Sequence, residues 1–152
     1  MVIESTRFGS LEIDEKDVLG FPEGLPGFPA EKAFALIPYG PQSPFAFLQS
    51  VSEPDLTFLI AEPFAFFTDY QFELADDLAT SLGLSGETLP QVFVIVTVPE
   101  KLEEMTANLL APIVVNCRRR LAAQVVLDKT AYTTRHRLFP QGFPPKPLKE
   151  AK

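Results

Sequence analysis

VFVIVTVP at residues 92–99 is β-branched or aromatic at every position up to its proline. Branched and aromatic side chains fit a pleated surface, and a proline cannot donate to a ladder, so the run reads as a strand that stops at Pro99. Similar runs lie to either side: AFALIPY at 33–39, PFAFLQSV at 44–51, LTFLIAEP at 56–63, MTANLLAPIVVN at 105–116 and AAQVVL at 122–127. Each is bounded by Pro, Gly, Asn or Asp, which end strands in turns. Pro112 marks a bulge, an edge or a strand's first residue. Residues 2–7 and 11–13 flank Phe8-Gly9-Ser10 and predict an opening hairpin, with Gly9 taking a positive φ.

Only LADDLATSLGL at 74–84 has a helical repeat, with Leu74, Leu78 and Leu82 four apart, acids early and Gly83 at the end. A parallel sheet needs a crossover helix between its strands, and no second helical pattern supplies one. The expected fold class is therefore all-β, an antiparallel barrel-like or sandwich domain with one short helix. The 152 residues suit one domain, and 15 prolines, roughly twice the usual ~5%, suit short elements joined by turns. The expected division is a β domain over 1–139 and a proline-rich C-terminal tail over 140–152, QGFPPKPLKEAK being read as an extension.

Charge is uneven along the chain. Residues 1–117 hold 18 Asp and Glu against 4 Lys and Arg, a balance of −14, while residues 118–152 hold 2 against 9, a balance of +7 and a total of −7. An acidic body repels nucleic acid and steers encounter with basic proteins, although an acidic excess also serves solubility alone. Arg118-Arg119-Arg120 is read as a basic loop between strands, and direct nucleic-acid binding is not expected. A single cysteine, Cys117, permits no intrachain disulfide and suits a reducing compartment. The N-terminal stretch lacks the apolar core of a secretion signal and no run approaches the ~20 residues of a membrane helix, so a cytoplasmic protein without membrane contact is expected.

The search for chemistry finds no catalytic constellation. FPEGLPGF at 21–28 has the glycines of a phosphate loop but neither its Lys nor its Ser or Thr, and it is read as a rigid corner with Phe21 and Phe28 turned inward. One His and one Cys cannot form a zinc shell, so no metal and no cofactor are expected. His136, between two arginines, is read as exposed or hydrogen-bonded, and Cys117 as a buried or incidental thiol although Arg118–Arg120 follow it. The acid pairs Asp76-Asp77 and Glu103-Glu104 are read as solvated.

FPEGLPGF, SPFAFLQSV, PFAFFTDYQFEL, VFVIVTVP, MTANLLAPIVVN, QVVL and TRHRLF occur together in an order and spacing that closely resembles the flagellar assembly factor FliW family, from about Ile3 to Phe139. The resemblance implies an all-β, barrel-like, non-enzymatic cytoplasmic binding protein whose partners are flagellin and the translational regulator CsrA. It further implies partner exchange: held by flagellin, the protein leaves CsrA free to repress flagellin mRNA, and released after flagellin export it binds CsrA and relieves repression. A monomer is expected. A small hydrolase or isomerase with an unrecognised carboxylate site is the competing function class. For partner contact the selected segment is 63–74, where Phe66 and Tyr70 supply aromatic anchors beside Asp69 and Glu73; the same aromatics would equally serve a core. Asn108 and Asn116, flanking the Ala111-Pro112 strand, would bond either a partner's backbone or a bulge.

Overall fold

The computed structural model describes residues 1–85 and 90–141. Strands β1 (Val2–Ser5) and β2 (Gly9–Glu12) form the predicted hairpin, antiparallel with Ser5 opposite Gly9. The other strands are β3 (Val18–Gly20), β4 (Ala33–Pro38), β5 (Phe45–Ser50), β6 (Thr57–Ala61), β7 (Gln91–Thr97), β8 (Thr106–Ala107), β9 (Ile113–Asn116), β10 (Leu121–Gln124) and β11 (His136–Arg137). Seven of them close a barrel in the order β7-β6-β5-β4-β3-β10-β9, with β9 returning to β7. Closure depends on β7 serving two partners on one edge: Gln91–Phe93 pair with β9, and Val96–Thr97 pair with β8, which carries β11 outside the ring. The barrel expectation holds with one amendment, because β3 and β10 meet in parallel, Leu121 opposite Gly20. The run 105–116 divides into β8 and β9, with Pro112 immediately before β9's first residue; β3 and β11 were not foreseen.

The period-2 alternation of the strands sorts their side chains between two cores. Ala46 and Leu48 of β5, Phe58 and Ile60 of β6, and Phe93 and Ile95 of β7 fill the barrel with Phe21, Phe34 and Ile113. The intervening Phe45, Leu59, Ala61, Val94 and Val96 face outward, where Tyr70, Phe66, Phe72, Leu109, Leu138 and Phe139 cover them. This second layer is why VFVIV, residues 92–96, is apolar throughout: that part of the strand is covered on both faces, and Thr97 and Val98 beyond it are exposed.

Polar residues fasten the outlying pieces. Gln49 is fully buried on β5; its Oε1 accepts from Ser5 Oγ at 2.7 Å and from Thr57 Oγ1, and its Nε2 donates to the Ser50 carbonyl at 3.1 Å. One glutamine thus ties the hairpin, the barrel wall and the β5–β6 turn together, satisfying a polar group that would otherwise destabilise the interior. FPEGLPGF is a corner as expected, with Gly24 and Gly27 at φ +67° and +87°. Phe21 is buried, but Phe28 corrects the expectation: it is 40% exposed and rests its edge on Phe58 at 5.9 Å, because the Leu25–Phe28 bridge folds the corner back on itself.

The helix α1 (Asp76–Ser81) is a short element, and Leu82 after it is buried. The tail read over 140–152 lies, from residue 142 onward, outside the described residues, as do residues 86–89. No helix among the described residues is long and apolar enough to cross a membrane.

Candidate partner-binding surface

The segment 63–74 runs across the outer face of the barrel. Pro63–Ala65 form a 3-10 turn, and Tyr70 then drops into the outer core, 4% exposed, where its hydroxyl donates to the Leu109 carbonyl at 2.7 Å. Its ring contacts those of Phe64, Phe72 and Tyr132, the last with centroids 4.7 Å apart. Burial, and secondly the nearby Tyr132, push the Tyr70 hydroxyl well above the ordinary tyrosine range. Tyr70 is therefore a core residue in this structure, not an exposed anchor. Phe66 is half-buried, its ring 5.5 Å from Phe45 and 5.8 Å from Phe139. Asp69 and Glu73 are exposed, and the aromatic of this segment most open to solvent is Phe64, at 48%.

The two asparagines work within the chain. Asn116 is 1% exposed; its Oδ1 accepts from the Arg118 and Arg119 amides at 3.1 and 3.3 Å, and its Nδ2 donates to the Leu82 carbonyl at 2.8 Å. It closes the β9–β10 turn and pins that turn to the end of α1. Asn108 accepts from the Ala111 amide at 3.1 Å and shapes the loop before β9. His136 is hydrogen-bonded, its Nε2 accepting from the Thr133 amide at 2.9 Å. Cys117 is exposed rather than buried and donates to Gln91 Oε1 at 3.0 Å; partial burial of the thiol pushes its pKa up, against the lowering that three neighbouring arginines suggest.

A groove of about 490 Å³ meets this segment at Phe45, the ring that Phe66 touches. Its floor is the outward face of β5, β6 and β7, with Phe45, Phe47, Leu59 and Val96, and its rim is formed by Tyr39, Val98, Leu102 and Arg7. Tyr39, Val98 and Leu102 are 67%, 49% and 52% exposed. Large apolar groups gathered at one concavity mark a contact surface, whereas scattered ones do not. Phe66 braces the groove from behind through Phe45. A second groove of about 440 Å³ lies between residues 71–75 and 125–130 and includes Glu73 and the exposed Val126. Sequence reading found neither groove. The first is assembled from residues spread between positions 7 and 105, and its one local signal is that Arg7 is among just four cations in the first 117 residues.

The family model described as "FliW protein" matches residues 2–138. The chain belongs to the FliW family. It is 55% identical over 142 residues to the flagellar assembly factor FliW of Desulfitobacterium hafniense (strain DSM 10664 / DCB-2), covering 93% of each chain. It is 49% identical over 140 residues to that of Heliobacterium modesticaldum (strain ATCC 51547 / Ice1), covering 92% of each. A crystal structure of the flagellar assembly factor FliW superposes with a TM-score of 0.85 at 44% identity, covering 92% of this chain and 98% of the other. The barrel seen here is thus the fold of that FliW structure.

Proposed function

We propose that this chain is a non-enzymatic flagellar assembly factor of the cytoplasm that binds flagellin and CsrA in exchange and so couples flagellin synthesis to export. The observation that carries a binding role is the exposed, aromatic-walled groove on the outer face of β5–β7. Groups of this kind, large, apolar and already ordered, lose little entropy when a partner covers them. Asp69 and Glu73 lie exposed on the flanking segment and would meet CsrA, a protein that binds RNA and so presents basic surface. An acidic body docked on CsrA would also repel RNA without covering the RNA site. Phe66, Tyr70, Asn108 and Asn116 act behind the surface: they brace the groove, anchor the segment and hold the two loops.

Exchange requires the two partners to be thermodynamically exclusive, each lowering the apparent affinity of the other. Calorimetry of the purified chain with flagellin and with CsrA tests the proposal. Saturable binding of both is the expected result, and failure to bind either contradicts it.

A further inference from the structure

Among the described residues that line the apolar groove, Arg7 is the one that carries a charge. Its guanidinium carbon lies 4.7 Å from the centre of the Phe47 ring and 5.8 Å from that of Phe8, so the cation sits over the aromatic wall of the groove. Phe8 and Phe47 are themselves edge-packed at 5.2 Å, which ties the hairpin that carries Arg7 to β5. Among the described residues the ion pairs are Met1 with Glu12 and Lys16 with Asp14, so Arg7 has no carboxylate partner although acids outnumber bases 18 to 4 in residues 1–117. A lone cation stacked at the edge of an apolar trough, on a body that otherwise repels anions, is complementary to one negative charge flanked by apolar groups.

We propose that the groove seats a segment of a partner protein that places large apolar side chains against Phe45, Leu59, Val96 and Leu102 and one carboxylate against Arg7. Arg7 fixes the register of the segment, because no other residue lining the groove offers a carboxylate a counter-charge. An Arg planar fork bonds a carboxylate bidentately, which adds direction to the charge. The inference deepens the proposed function and rests on it: it names the chemistry of the segment by which a partner is held.

The test uses the full chain, with flagellin and CsrA as probes and calorimetry as the readout, on wild type, Arg7→Glu, Leu102→Asp and Val2→Asp. The partner that uses the groove should bind Arg7→Glu and Leu102→Asp at least about tenfold more weakly, while Val2→Asp, at an exposed position outside both grooves, binds like wild type. Overlapping peptides spanning that partner, followed by methyl resonances of Leu59, Val96 and Leu102, should give one peptide that shifts them and carries an Asp or Glu among large apolar residues. Replacing that acid by Lys should abolish binding to wild type and restore it to Arg7→Glu. Normal binding of both groove variants, loss in Val2→Asp alone, or a groove peptide without an acid overturns the inference and leaves the proposed function standing. Absence of binding to both proteins by wild type overturns the two together.

Discussion

The Tyr70 hydroxyl donates to the Leu109 carbonyl across 39 residues of sequence, and this bond fixes the segment 63–74 to the loop that follows β8. Tyr70→Phe should cost about 1 kcal/mol, the usual net value of such a bond, and lower Tm by ~2–4 °C for a domain of this size. Because the ring remains, flagellin and CsrA affinities should stay near wild type. A loss of affinity at unchanged Tm would instead place Tyr70 at the contact.

Tyr70 also predicts alkaline behaviour. Its folded pKa is raised, so above the ordinary tyrosine value near 10 the unfolded chain releases a proton that the folded chain retains. The stabilisation from this group is complete below that pH and falls as pH rises beyond it. Urea midpoints between pH 9 and pH 11 should decline, and the decline should be shallower in Tyr70→Phe.

At the corner FPEGLPGF, a Cβ on Gly24 would lie 2.6 Å from the Pro29 carbonyl oxygen, whereas one on Gly27 would meet nothing within 4 Å. Both residues have positive φ, which costs an L-residue about 1–2 kcal/mol. Gly27→Ala should lose about that amount, and Gly24→Ala should lose clearly more, because the obstructing atom is backbone. Equal denaturation midpoints for the two would show that the corner relaxes.

Cys117 should alkylate more slowly at pH 7.5 than a cysteine in an unfolded peptide, despite Arg118–Arg120, because its thiol is partly buried and bonded to Gln91. Urea should remove the difference. A faster rate in the folded protein would mean that the arginines dominate.

The strands were legible because their composition is local: Val, Ile and Phe runs end at prolines and glycines, and β4 to β7 fall where AFALIPY, PFAFLQSV, LTFLIAEP and VFVIVTVP place them. Barrel closure was not, since β9 pairs with β7 and β10 with β3 through contacts distant in sequence, and β3 and β11 are too short to carry a pattern. The partner surface was harder for the same reason. In PFAFFTDYQFEL every aromatic has the same local claim to be core or contact, and only the placement of Leu109 and Tyr132 decides that Tyr70 is inside while Phe64 is open. Gln49 gave no sign of its role: a polar residue in PFAFLQSV reads as solvent-facing until Ser5 and Thr57 are brought to it.

Partner exchange is tested most directly by titrating flagellin into the preformed complex of this protein with CsrA, followed by size exclusion and calorimetry. Saturating flagellin should release CsrA, or weaken its binding by at least about fivefold, a coupling of ~1 kcal/mol. A stable ternary complex in which both affinities equal their separate values would contradict it.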